Sequence, residues 1–233
     1  MNKTITLIST LLLILPAITS CASSVDRHGT ISVDKSFDQI VVANNIKVTY
    51  TPGAGTSYTI EASDKAKSCL DMIVKGSVLT IKADGLNNET IRINLTSPAI
   101  KSYTGMNNAE IRITGALDMA RLDVNVYNNS IISFDRNIKA DKTDISAYNN
   151  GTVSMRDLSA GDITATAYNN AQIDLDGSAT SIIYSAYNNA EINASGFKAA
   201  HGTANASNNA EINANVARLD SQTTNLGRIS NAR

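Results

Sequence analysis

From about residue 100 onward, apolar and polar residues alternate in short runs with a period of two, the mark of strands with one buried face. Leu122, Val124 and Val126 alternate with Asp123 and Asn125, and runs of the same kind cover 144–147 and 163–167. A second set of runs follows: Ile111 and Ile113, Ile132 and Phe134, Val153 and Met155, Ile173 and Leu175, Ile192 and Ala194, and Ile212 and Ala214 each stand two apart. The second member of these pairs shrinks toward the C-terminus. No proline and no i, i+3, i+4, i+7 spacing occurs in this half, which excludes amphipathic helices and with them a leucine-rich repeat.

Between the two sets of runs stands Asn-Asn, at Asn107-Asn108, Asn128-Asn129, Asn149-Asn150, Asn169-Asn170, Asn188-Asn189 and Asn208-Asn209, in steps of 21, 21, 20, 19 and 20 residues. A period this steady marks a solenoid whose coils turn the same corner. The predicted fold is all-β: a single-chain, right-handed parallel β-helix of about 20-residue coils stacked about 4.8 Å apart, with at least two strands per coil. Asparagine suits the corner because it tolerates left-handed backbone angles and its amide bonds nearby peptide groups. Stacked amides can also bond one another along the axis, so these twelve residues are read as a structural corner ladder.

The residue before each pair is Met106, Tyr127, Tyr148, Tyr168, Tyr187 and Ser207, so four successive coils carry tyrosine at one position. If the alternation of Val124, Asn125 and Val126 runs unbroken to the corner, the tyrosines face outward and form a candidate contact surface for glycan or protein. A bend at the corner would reverse them. The competing reading is a ladder of rings that packs on itself and stabilises the stack.

Residues 30–100 have a different texture. Strand-like segments at 37–42, 46–50, 58–61, 77–82 and 90–95 are separated by turn signals at Pro52-Gly53, Lys75-Gly76 and Asp84-Gly85, with a helical turn expected only within 65–74. This N-terminal β region is expected to continue into residues 101–215, the repeats, and Asn44-Asn45-Ile46-Lys47-Val48 has the look of an early coil. Residues 216–233 have lost the repeat and read as a C-terminal cap.

At the N-terminus, Lys3 precedes an apolar stretch from Ile5 to Leu15 that is too short to span a bilayer, so residues 1–20 read as a secretory signal. Ile18-Thr19-Ser20-Cys21 resembles a bacterial lipobox, which implies lipidation of Cys21 and a tether at 21–29; the alternative is ordinary cleavage within 17–22. The membrane contact is then the N-terminal lipid alone. Cys69 has no intramolecular partner once Cys21 is acylated, and beside Leu70 and Met72 it reads as an inert packed thiol.

Charge is balanced, with 20 basic and 21 acidic residues and no run of either sign, which does not suggest nucleic acid. His28, His201 and one available thiol supply no metal-ligand spacing, no cofactor motif occurs, and Asp144, Asp174 and Asp176 read as solvated positions. Oligomeric state is left open. Catalysis has one foothold. Glu191 and Glu211 share a register on successive coils and could approach the carboxylate separation used by polysaccharide lyases or hydrolases, yet no nucleophile or electrophile converges on them.

The order Phe37-Asp38-Gln39-Ile40-Val41-Val42, Ile46-Lys47-Val48, Val78-Leu79-Thr80-Ile81 and Ile91-Arg92-Ile93-Asn94-Leu95-Thr96-Ser97-Pro98, followed by strand-corner repeats, resembles the head GIN domain of putative auto-transporter adhesins across residues 36–216. That family commonly has Ser-Gly-Ser-Gly-like corners where this chain has Tyr-Asn-Asn-Ala; glycine and asparagine both allow positive φ. The resemblance implies a β-helical lipoprotein or secreted protein of Bacteroidota-type bacteria and supplies no catalytic residues. Taken with the lipobox-like end, the expectation is an exported protein lipid-anchored in the cell envelope, at the outer membrane, that binds or scaffolds glycan or envelope protein without catalysis.

Asn150-Gly151 is the one Asn-Gly corner among the six pairs. Succinimide closure through the next peptide nitrogen is least hindered where that residue lacks Cβ. Peptide mapping of aged protein is expected to find Asn150 deamidated first; earlier loss at Asn169 or Asn188 would contradict this.

Overall fold

A computed structural model describes residues 30–33, 35–86 and 89–232 of the 233. The signal-peptide, Cys21, tether and His28 readings lie outside the described residues. The chain first forms β1 (Ile31–Ser32), β2 (Gln39–Ala43), β3 (Ile46–Pro52), β4 (Ser57–Glu61), the short helix α1 (Asp64–Ser68), β5 (Leu70–Lys75), β6 (Val78–Ala83) and β7 (Ile91–Ser97). The repeats follow as β8 (Ser102–Met106), β9 (Glu110–Ile113), β10 (Leu117–Tyr127), β11 (Ile131–Phe134), β12 (Ile138–Tyr148), β13 (Thr152–Tyr168), β14 (Gln172–Tyr187), β15 (Glu191–Ser207), β16 (Glu211–Thr224) and β17 (Arg228–Asn231).

These strands stack into a β-solenoid. One parallel ladder runs through β6, β2, β8 and the ends of β10 and β12–β16. A second runs through β7, β3, β9, β11, the starts of β13–β16, and β17. A third face begins at β10, where Leu117, Ile138, Leu158, Gly177 and Phe197 come into register. The early coil at Asn44-Asn45 is present, but stacking order departs from chain order: the β2–β3 coil lies between β6–β7 and β8–β9.

The first rung is covered by antiparallel pairing, β5 on β6 and β4 on β7, so the N-terminal region caps the solenoid while contributing coils to it. The helical turn expected within 65–74 occupies only α1, whose Ser63 cap accepts the Ala66 N–H at 3.1 Å. Beyond it Leu70, Met72 and Val74 are buried alternately, and that period of two makes β5 a strand.

Every described Asn-Asn corner is left-handed. Both residues of each Asn pair have φ between 53° and 65°, including Asn44 and Asn45. The first amide of each pair donates to the one on the preceding rung: Asn44 Nδ2 to Asp84 Oδ1, then Asn107 to Asn44, Asn128 to Asn107, Asn149 to Asn128, Asn169 to Asn149, Asn188 to Asn169, Asn208 to Asn188 and Asn225 to Asn208. These bonds span 2.8–3.2 Å and all point one way. Asp84, a carboxylate that can only accept when ionised, closes the acceptor end. The second amides bond in part, Asn150 to Asn129 and Asn209 to Asn189. Backbone N–H groups of the corners donate the opposite way, as from Asn149 to the Tyr168 carbonyl at 3.0 Å.

Directly after each corner comes a buried small residue, Ala109, Ser130, Gly151, Ala171, Ala190 or Ala210. At Gly151 a Cβ would stand 3.0 Å from Val126 Cγ1 and from the Tyr148 carbonyl, so the turn brings the backbone against its neighbours there. Farther in, the shrinking row at Leu175, Ala194 and Ala214 is compensated from the third face, where Phe197 is fully buried in register with Gly177. Tyr184 is likewise placed in a row between Ala165 and Ala204. Large and small residues thus alternate across facing positions and interdigitate.

The stack also runs further than residue 215. β17 pairs parallel with β16, and Asn225 and Leu226 take the corner with φ of 47° and 65°. The segment from 216 carries one more rung, hidden in the sequence because Asn225 follows Asn208 by 17 residues and its partner is leucine. Leu226 is 80% exposed, so it pays the left-handed cost of about 1–2 kcal/mol without burial in return. Leu226→Asn is expected to stabilise the protein by about 1 kcal/mol, read as a rise in thermal midpoint of about 2–4 °C; an unchanged or lower midpoint would count against strain at this corner.

The Tyr184 hydroxyl is buried with no hydrogen-bond partner, and burial pushes its pKa well above the ordinary value. A phenol with a raised folded pKa contributes stability that is complete below its unfolded value of about 10 and is lost as pH climbs toward the folded value. Tyr184→Phe is expected to hold or raise stability at neutral pH by about 1 kcal/mol and to flatten the decline in melting temperature above pH 10. An unchanged alkaline slope would refute the assignment.

Candidate functional site

The alternation holds to the corner. Val126, Ala147, Ala167 and Ala186 are buried, and the next residue in each coil, Tyr127, Tyr148, Tyr168 and Tyr187, points out of the solenoid. The four tyrosines are in register on adjacent rungs. Their rings also pack: Tyr127 and Tyr148 are stacked with centroids 5.3 Å apart and planes at 5°, and the next two pairs are tilted at 6.3 and 6.0 Å. Outward direction and mutual packing therefore coexist in one column. Tyr168 is the most open, at 38%.

Each ring pair adds about 0.5–1.5 kcal/mol beyond burial, which holds the column rigid before anything binds. Burial, and then the neighbouring Tyr148, push the Tyr127 phenol above its ordinary pKa, so it stays protonated as donor and acceptor at neutral pH. Two residues upstream on the same outward side runs a polar row, Asn125, Ser146, Thr166, Ser185, Asn205 and Gln222, also in register. An aromatic column beside short hydroxyls and amides offers apolar faces and hydrogen bonds at one spacing.

Glu191 and Glu211 are paired in register and exposed, between Gln172 and Arg228. Glu211 accepts from Asn213 at 3.1 Å. Neither lines the concavity at the bulges or the one below Tyr187. The larger concavity, about 340 Å³, opens elsewhere among Ser154, Arg156, Asp174, Asp176, Asn193 and Ser195, where bulges interrupt the rungs. Among the described residues no group of three or more His, Cys, Asp or Glu is placed to hold a metal. No described helix is long and apolar enough to cross a membrane. Cys69, half-buried, caps the C-terminus of α1 with its backbone.

Residues 36–231 match the family described as putative auto-transporter adhesin, head GIN domain. The chain belongs to this family. No curated protein matches it. Among solved structures, a putative adhesin from Parabacteroides merdae superposes with a TM-score of 0.75 at 15% identity, covering 85% of this chain and 93% of that one. A putative adhesin from Parabacteroides distasonis gives 0.75 at 17%, covering 87% and 94%. A protein from the same species described as a putative lipid binding protein gives 0.73 at 14%, covering 85% and 93%. At these identities the likeness carries the head GIN fold and no residue roles.

The column was legible in the sequence because Tyr recurs at fixed register. Three residues were not. Asp84 ends the amide ladder as a carboxylate where the other rungs have Asn, Asn225 lies outside the period, and Tyr184 shows its fit only once Ala165 and Ala204 flank it.

Proposed function

We propose that this head GIN domain is a non-catalytic binding module of the cell envelope, exported and anchored at the outer membrane by a lipid on Cys21. Its contact surface is the tyrosine column with the polar row beside it, and its ligand is a glycan or an envelope protein. The observation that carries this reading is the set of four outward tyrosines held rigid in register. A protein that needed the rings only for packing could bury them, as it buries Tyr50, Tyr103 and Tyr184. The adhesin descriptions of the Parabacteroides structures agree with such a role. We also infer right-handed winding, because parallel strands joined by crossovers in one sheet take that hand almost without exception.

Replacing Tyr127, Tyr148, Tyr168 and Tyr187 together by Ser is expected to weaken binding to cells or an envelope glycan array at least about tenfold, given about 0.5–1.5 kcal/mol per aromatic contact. Far-ultraviolet circular dichroism should stay that of the folded solenoid. A folded variant that binds as the unchanged protein does would remove the column from the function.

A further inference from the structure

The tyrosine column stops before the solenoid does. Below Tyr187 the same register holds Ser207 and then Thr224, while the polar row continues to Asn205 and Gln222. The two missing rings leave an open notch of about 200 Å³ lined by Tyr187, Asn205, Ala206, Ser207, Gln222 and Thr224. That is below the ~300 Å³ at which pockets for drug-sized molecules begin, and it is the scale of one ring.

The chemistry of the walls is specific. Tyr187 stands at one end, where each earlier tyrosine has the ring of the next coil as its neighbour. Thr224 Oγ1 donates to Ser207 Oγ at 2.9 Å, which fixes the two hydroxyls relative to each other. Among the described residues the side-chain amides of Asn205 and Gln222 have no hydrogen-bond partner, so both keep two donors and an acceptor. No charged side chain lines the notch. An aromatic ring beside unpaired amides, without charge, matches a pyranose: its C–H face packs on the ring and its hydroxyls exchange hydrogen bonds with the amides.

We propose that this notch is a subsite for one neutral hexopyranose unit, packed on Tyr187 in place of the missing fifth ring and hydrogen-bonded by Asn205 and Gln222. It rests on the reading of this face as glycan-binding, and it adds where the terminal sugar sits and that the sugar is uncharged.

The test is saturation-transfer NMR and titration of the soluble body, from residue 22 onward, with the methyl glycosides of glucose, galactose and mannose, and with methyl glucuronide as the charged comparison. At least one neutral glycoside is expected to bind with a Kd on the order of 1 mM, the range for so few atoms, and the glucuronide more weakly. Ser207→Tyr extends the column into the notch with a residue that four preceding rungs already carry, and should weaken the neutral glycoside at least about tenfold while cell or array binding through Tyr127–Tyr168 persists. Asn205→Ala with Gln222→Ala should weaken the glycoside similarly without filling the space. A Ser207→Tyr protein that binds the glycoside as before, or an unchanged protein that binds none at about ten times the expected Kd, would overturn the subsite. A variant with only Tyr127, Tyr148 and Tyr168 replaced by Ser keeps Tyr187 and the notch, so loss of array binding with retained glycoside binding bears on the column alone and the two readings fail separately.

Discussion

The structure depends on a corner that asks two consecutive residues to take left-handed backbone angles at the β2–β3 coil and at each coil from β8–β9 through β16–β17. For most L-residues this costs about 1–2 kcal/mol each, and repeated along a solenoid the cost would defeat the fold. Glycine would remove the strain but add unfolded-state entropy and supply no side chain. Asparagine relieves the strain and also places an amide where the rung above and the rung below can use it. The ladder from Asn225 to Asp84 is thus a second stitching, with side chains donating toward the capped end while corner peptides donate toward the other. Bonds aligned this way polarise one another, and an acceptor-only carboxylate is the suitable group at the end where donors arrive.

Once the corner is fixed, it dictates what stands on either side. The residue after it is carried inward against the neighbouring rung; from Asn107-Asn108 to Asn208-Asn209 it is Ala, Ser or Gly, and after Asn44-Asn45 it is the buried Ile46. The residue before it closes a run of alternation whose inward members are Val126, Ala147, Ala167 and Ala186, so it faces water. Four tyrosines there cannot reach the core. They find each other instead, because the same stacking that aligns the amides brings the rings to 5.3–6.3 Å.

Much of this was readable in advance, for a physical reason: a solenoid repeats its constraints, and repetition is visible in one dimension. The aliphatic rows and the Asn corners follow from period two and period twenty alone; the outward direction of the tyrosines depended on whether the chain bends before the corner, which periodicity leaves open. What escaped were features that stacking creates between residues with no shared spacing. The β2–β3 coil is inserted between two others that come later in the chain, so Asn44 meets Asp84 and Asn107 across 40 and 63 residues. The final corner changes both its step and its second residue. Residues 70–74 looked helical in isolation because nothing local announces that β6 will pair with them. The notch escaped for a simpler reason, being defined by side chains that are too small.

That last point bears on how such a domain acquires specificity. A uniform column presents the same contacts at every rung, so it can hold an extended ligand in many registers with similar energy. A ligand is placed only where the repetition fails. Here the rings end while the amide row and the backbone rung continue, which creates one location with an aromatic wall on a single side and unpaired polar groups on the next. On the proposed reading, rungs that keep the pattern supply contact area and the rung that breaks it supplies position. Because the corner at Asn208 and Asn209 is left intact beside Ser207, the break costs the solenoid two ring contacts and none of its stitching.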